Sequence, residues 1–306
     1  MKKEPKVAII ITTYNQDVLL EQTLSSLKNS TLYKNYKTYL VDDCSKKNIG
    51  ETIRKKFSWV NIIVNKTNQG FSKANNIGME KSIKEYNPDY ILLLNDDIEI
   101  VEKNWLKKIV SVAESDKKIG IVGCKLIYPD GSLQSLGGHL KKWEISQISK
   151  LKEGEILDVD HVMGACFLIK KGVIDEIGML DPIFSPYLLE DTDYCLRAKK
   201  KGFLIKTVSS VEVIHKKGQT INSLKDKRSL LIRFKNDIIF SRRHLKFKDK
   251  FFRIFAYLPL VAILKKKKDT DQLKLKNFEL RRDFLINMYF FILAFIPRAY
   301  KKVIEK

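Results

Sequence analysis

Apolar residues along this chain fall into short β-branched runs separated by stretches of helical spacing. Val7–Ile11 is such a run and predicts a buried strand. Between Gln16 and Asn29 the apolar positions Leu19, Leu20, Leu24 and Leu27 recur at the interval of one helix face. Thr38–Val41 and Asn61–Val64 predict the second and third strands. Ser72–Tyr86 predicts a helix with Ser72 at its cap, and Tyr90–Leu94 predicts a fourth strand. Strands alternating with helices in this way predict an α/β fold, a mostly parallel sheet joined by right-handed crossovers and flanked by helices.

Beyond Ile100 the pattern loosens. Ile119–Val122 and Val162–Ile169 predict strands, Pro129-Asp130-Gly131 a turn, and the polar stretch Lys141–Lys152 a loop. Asp191–Lys201 predicts a helix capped near Asp191 or Thr192 and ended by Gly202. Phe203–Val213 predicts a strand that runs into His215. From about Lys216 the character changes to apolar segments with interleaved bases, Ser229–Phe240 and Phe251–Leu264, then the basic run Lys265–Lys268. Phe284–Ile296 has one polar member, Asn287, and stops at Pro297. A helix of that length reaches about 20 Å against about 30 Å of hydrocarbon, which fits an interfacial helix better than a span.

Charge divides the chain the same way. Residues 221–306 carry 23 Lys and Arg against 8 Asp and Glu, whereas the first 220 carry 34 against 28. The expected organisation is a domain over 1–220 followed by a basic, amphipathic helical tail over 221–306. An excess of that kind is suited to nucleic acid or an anionic membrane surface. Apolar runs in the tail favour the membrane, so an anionic membrane surface is the expected partner and no nucleic acid is expected. The four cysteines make no Cys-x-x-Cys pair and are expected as free, mostly buried thiols of a reducing compartment. Met-Lys-Lys-Glu-Pro-Lys leads straight into a strand and does not read as a signal peptide.

Candidate chemistry sits at strand ends. Asn95-Asp96-Asp97 follows Tyr90-Ile-Leu-Leu-Leu, and ligands of open α/β sheets bind at the carboxyl ends of strands. Asp97 there suits a divalent cation holding a nucleotide diphosphate, although a loop of Asx turns has the same composition. Asp42-Asp43 ends a neighbouring strand and could accept from a base or a ribose, or could simply make a turn. Glu190-Asp191-Thr192-Asp193 opens a helix, where acids complement the dipole. One of them could instead act as a general base, and one could pair with Arg197 four residues on. His215 is either a structural histidine or a ligand for a metal such as Mn²⁺.

In this order the motifs resemble the family-2 glycosyltransferases of the GT-A type, and most closely their rhamnosyltransferase-like branch. The resemblance is carried by Ile10–Asn15, Val41-Asp42-Asp43, Asn68–Gly78, Leu94–Asp97, Gly164-Ala165-Cys166, Glu190–Arg197, His215 and the Arg233–His244 stretch. It implies inverting transfer of a sugar from a nucleotide-diphosphate sugar donor. Thr12, Tyr14 and Asp43 would hold the nucleoside, with Asn76 and Asp96 completing the donor set and Asp96 on the ribose. Asp97 and His215 would hold Mg²⁺ or Mn²⁺, and Asp191 would be the base. Asn95 departs from the family's acidic triplet, which leaves Asp97 as the ligand to rely on. The expected acceptor is a lipid-linked or surface glycan, with the protein peripheral on the cytoplasmic face of the cell membrane. Two competing readings remain at this level. One is a sugar-nucleotide nucleotidyltransferase, which would normally show a Gly-rich basic loop where this chain has Thr12-Thr13-Tyr14-Asn15. The other is a non-catalytic basic binder of membranes or nucleic acid.

Overall fold

A computed structural model describes residues 4–47, 49–142, 144–148, 154–216 and 227–253. The chain opens as β1 (Val7–Thr13), α1 (Asp17–Asn29), β2 (Tyr36–Asp42), α2 (Ile49–Lys56), β3 (Val60–Val64), α3 (Phe71–Tyr86) and β4 (Tyr90–Asn95). It continues through β5 (Ile98–Ile100), α4 (Trp105–Ser115), β6 (Ile119–Ile127), β7 (Leu133–Ser135), β8 (Gly138–Lys141) and β9 (Glu144–Gln147). Then come β10 (Ile156–Val159), β11 (Cys166–Lys170), α5 (Lys171–Ile177), α6 (Glu190–Lys200) and β12 (Leu204–His215). Two further helices, α7 (Lys227–His244) and α8 (Phe247–Phe252), follow.

The main sheet runs β10-β12-β6-β11-β4-β1-β2-β3, with β5 on β12 and β7 on β6. Strands β4, β1, β2 and β3 run parallel to one another. β11 enters antiparallel between β4 and β6, and β6 and β12 are again parallel. The strands are continuous apolar runs because both faces are covered. Val7, Ile9 and Ile11 of β1, with Leu92 and Leu94 of β4, bury against one core. Ala8, Ile10, Ile91 and Leu93 bury against the other. Each such side chain contributes about 2 kcal/mol on leaving water.

Several expectations change in detail. The Lys141–Lys152 loop contains β9, which pairs with β8, because Glu144-Ile-Ser-Gln offers a strand its alternation. Ser72 is buried in the first turn of α3, and the cap position is Gly70 at φ 76°. A side chain on Gly70 would press within 2.8 Å of the Pro186 backbone, so glycine is required there. Helix α6 is capped not by Asp191 or Thr192 but by Leu189, in the left-handed region at φ 72°. The strand expected from Val162 begins only at Cys166, because the residues before it turn towards α6. Helix α4 was not expected, although Trp105, Leu106, Ile109, Val110, Val112 and Ala113 bury at helical spacing. Cys124, Cys166 and Cys195 are buried, Cys44 is half-buried, and all four are free thiols.

By contacts the chain divides into Met1–Leu140 with Ile145–Leu224, and Lys141–Glu144 with Lys225–Lys306. Within the second unit, Arg253 Nη2 lies 2.6 Å from Asp237 Oδ1, and Arg242, Arg243 and His244 close α7. Among the described residues no helix is long and apolar enough to cross a membrane. Phe284–Ile296 and the Lys265–Lys268 run lie outside the described residues.

Candidate active site

The acid turn after β4 is held from below. The Thr23 hydroxyl, fully buried in α1, lies 2.9 Å from the Asp96 carbonyl and 2.8 Å from that of Ile98, and accepts from the Ile98 N–H at 3.1 Å. Strand β12 has an irregular register between Val208 and Glu212, and its last residues lie between β6 and β5. His215 thereby falls opposite Ile98, beside Asp97. Its Nε2 is 3.1 Å from Asp97 Oδ1 and 3.2 Å from Asn95 Nδ2, while its Nδ1 is 2.7 Å from Gln134 Oε1. Asp97 and His215 are both 5% exposed.

A hard carboxylate oxygen and an imidazole nitrogen at this spacing fit a divalent cation. Two neighbouring ligands of an octahedral ion with bonds of about 2.1 Å stand about 3 Å apart. Among the described residues no group of three or more His, Cys, Asp or Glu is arranged to hold a metal. A cation at Asp97 and His215 would therefore need oxygens from a ligand to complete its shell. Burial pushes the Asp96 carboxyl up to about 7; the charge of Asp97 adds to this, and the Thr13 hydroxyl opposes it.

Asp43 presents a different picture. Its carboxylate accepts from the Gln69 N–H at 2.9 and 3.0 Å, from the Gly70 N–H at 2.9 Å and from Asn65 Nδ2 at 2.8 Å. It is engaged in shaping the 65–70 loop, since a carboxylate has about four lone-pair sites. Thr12 is half-buried at the end of β1, opposite Asn95, and Tyr14 stands 46% exposed just beyond. The Asn76 amide donates to the Leu180 carbonyl at 2.8 Å and accepts from the Leu180 N–H at 3.1 Å. Both ends of the side chain clamp α3 to the 180 segment rather than face a donor.

The acids of α6 separate by partner. Asp193 is fully buried and takes Arg197 Nε at 2.9 Å, while the guanidinium also donates to the Ile177 and Met179 carbonyls. Glu190 is buried, which pushes its carboxyl well above the usual range, and the charges of Asp191 and Asp193 add to the shift. Asp191 is half-buried; its Oδ2 accepts from the Gly164 N–H at 2.9 Å and its Oδ1 from the Thr192 N–H at 2.6 Å. The next residue, Ala165, accepts from the Asn95 N–H at 3.1 Å. The Gly164-Ala165 backbone thus ties Asp191 to the acid turn. A cleft of about 370 Å³ lined by Asp17, Glu21, Lys47 and Lys56 shares none of these residues, and its acids are paired with its lysines.

The model of the family described as glycosyl transferase family 2 matches residues 8–178. The chain belongs to glycosyl transferase family 2. That match covers more than half of the chain and ends before α6, so Asp191 and His215 lie beyond it. The O-antigen biosynthesis protein RfbC of Myxococcus xanthus is 27% identical over 69% of this chain and 17% of its own length. The dTDP-rhamnosyl transferase RfbF of Shigella flexneri is 25% identical over 67% of each chain. Against three of its curated relatives the chain spans only 30%, 17% and 49% of their length. Among solved structures, the mannosyltransferase PcManGT of Pyrobaculum calidifontis, in complex with GDP-Man and Mn²⁺, is 12% identical. It superposes with a TM-score of 0.57 over 99% of this chain and 85% of that one, a likeness of fold. The fold of this glycosyltransferase-family chain is accordingly of the GT-A type.

The sequence did not single out Thr23, Asn65 or Gln134. A threonine inside a helix, an asparagine after a strand and a glutamine in a short strand carry no pattern that separates them from solvated residues.

Proposed function

We propose that this chain is an inverting glycosyltransferase. It would move a sugar, with rhamnose the first to test, from a nucleotide-diphosphate donor to a hydroxyl of a lipid-linked or surface polysaccharide acceptor. The observation that carries this reading is the tether between the two halves of the site: Gly164 holds Asp191 while Ala165 holds Asn95. The names of RfbF, RfbC and PcManGT support the sugar donor, the glycan product and a divalent metal respectively.

The residues divide the work. Thr12 and Tyr14 meet the nucleoside, against a wall formed by the 65–70 loop that Asp43 organises. Asp96 meets the ribose. Asp97 and His215 would hold Mg²⁺ or Mn²⁺, which would supply positive charge to the departing diphosphate. With Asp193 paired to Arg197 and Glu190 buried, the half-buried Asp191 is the acid left to accept a proton. The acceptor oxygen bonds to the anomeric carbon as the bond from that carbon to the diphosphate breaks, the electron pair leaves with the diphosphate, and the proton passes to Asp191. One displacement gives one inversion.

Residues 1–220 form the catalytic domain in this reading, and 221–306 hold the protein on the inner face of the cell membrane. Each Lys or Arg near an anionic surface contributes about 1 kcal/mol. Full-length protein should float with anionic liposomes and lose that behaviour when 221–306 are deleted; recovery of the intact chain in the unbound fraction would remove the anchor. The decisive measurement is transfer by Asp191→Asn across a panel of nucleotide sugars. Turnover should fall roughly a hundred- to ten-thousand-fold with donor binding nearly intact. Undiminished turnover would remove Asp191 as the base.

A further inference from the structure

Gln134 has no part in the transfer described above. It lies in β7, the return strand of a hairpin with β6. The Tyr128 N–H donates to the Ser132 carbonyl at 2.8 Å, and the Asp130 carboxylate accepts from the Ser132 N–H at 2.9 Å. Leu133 and Ser135 pair with Ile127 and Leu126, which places Gln134 between the two rungs. Its Oε1 is 2.7 Å from His215 Nδ1, closer than either contact at Nε2.

A neutral imidazole has one N–H, and its place is set by the partner of the other nitrogen. An amide oxygen cannot donate, so Gln134 Oε1 requires the proton on Nδ1. An amide nitrogen cannot accept, so Asn95 Nδ2 requires a lone pair on Nε2. Two amides from β7 and β4 therefore demand the same tautomer. That tautomer directs the Nε2 lone pair towards Asp97 Oδ1 at 3.1 Å, where two acceptors face each other unless a cation stands between them. The opposite tautomer would set a nitrogen lone pair against the Gln134 oxygen at 2.7 Å.

We infer that Gln134 is a positioning residue: it holds His215 in the Nδ1–H form, so that Nε2 is kept ready as a ligand beside Asp97. Metal-binding histidines generally donate their second N–H to an oxygen acceptor, and loss of that acceptor weakens metal affinity by about 10- to 100-fold. The consequence for metal rests on the proposed Asp97–His215 site; the proton on Nδ1 does not.

The test uses the full-length chain. Imidazole nitrogen-15 NMR without metal, with the His215 signal assigned through His215→Gln, reports the tautomer. Mn²⁺ titration followed by electron paramagnetic resonance reports affinity. Wild type should show Nδ1–H. Gln134→Met should lose that preference and bind Mn²⁺ about 10- to 100-fold more weakly. Gln134→Glu, which keeps an oxygen acceptor, should restore both. A purely structural role would lower the melting temperature of Gln134→Met without moving the tautomer. A wild-type imidazole with no proton on Nδ1, or Gln134→Met with an unchanged tautomer, overturns the inference. If Gln134→Met does not fold, the wild-type and Gln134→Glu tautomers decide. If wild type shows Nδ1–H but binds no Mn²⁺, the metal site fails while the role of Gln134 stands.

Discussion

The carboxylates that follow β2 and β4 have the same signature in sequence, a buried parallel strand closing in two acids, and both strands flank β1. Their surroundings are opposite. Asp43 is enclosed by N–H groups of its own following loop, Gln69 and Gly70, with the Asn65 amide beside them. Asp97 faces an imidazole delivered by the last residue of β12. The first carboxylate satisfies backbone donors that would otherwise be buried unpaired. The second has an imidazole nitrogen as its neighbour at 3.1 Å, which in the proposed function would hold a cation. What an acid at a strand end does is decided by the groups that surround it, not by the strand that delivers it.

The largest expected effect separates the two directly. Asp97→Ala should abolish Mn²⁺ binding and lower transfer by two orders of magnitude or more, with little change in melting temperature. Calorimetric Mn²⁺ titration beside a thermal melt checks both, and unweakened Mn²⁺ binding would break the comparison at its functional end. Asp43→Ala should do the reverse. Unpairing the 65–70 loop should lower stability by about 3 kcal/mol while Mn²⁺ affinity stays within a few-fold. A denaturant titration reads the loss, and unchanged stability would show that the loop does not depend on this carboxylate.

A pH-dependent effect concerns Asp96, between the two in chemistry. Burial raises its carboxyl from 3.8 to about 7, so over that window the folded chain keeps a proton that the unfolded chain has lost. Its contribution to stability therefore declines as pH rises from about 4 to 7 and is level above. Asp96→Asn removes the decline. The melting temperature of the variant relative to wild type should climb between pH 4 and 7 and then flatten. A difference independent of pH would place the Asp96 carboxyl in its ordinary range and make the acid turn more like that of Asp43.

Legibility followed sequence distance. The elements from β1 to β4 were readable because each is a single run with a strong period. The second half was read less well. β5, β7, β8 and β10 are three or four residues long, too short to show a period, and they exist because another strand pairs with them. Helix α4 did carry a helical pattern, obscured by the lysines and serines between its buried positions. In the candidate site, Asp97, Asp191 and His215 were visible as chemistry-bearing residues in suggestive places. The motif Asn68–Gly78 placed Asn76 among the donor contacts, yet its amide is committed to Leu180. The difference is which way a helical side chain faces, and an adjacent run of two asparagines does not reveal it.

By itself the sequence determined the α/β class, the acid-tipped strands and the contrast between a near-neutral first part and a basic tail. These depend on local period and composition, which survive without knowledge of any partner. Only the tertiary structure decided that Asp43 closes a loop, that Asp193 belongs to Arg197, and that β12 brings His215 to Asp97 with Gln134 behind it. The first and last of those outcomes pair groups distant along the chain, and the second picks one of three neighbouring acids. A carboxylate, an amide or an imidazole has no single chemistry until the fold supplies the donor, acceptor or charge beside it.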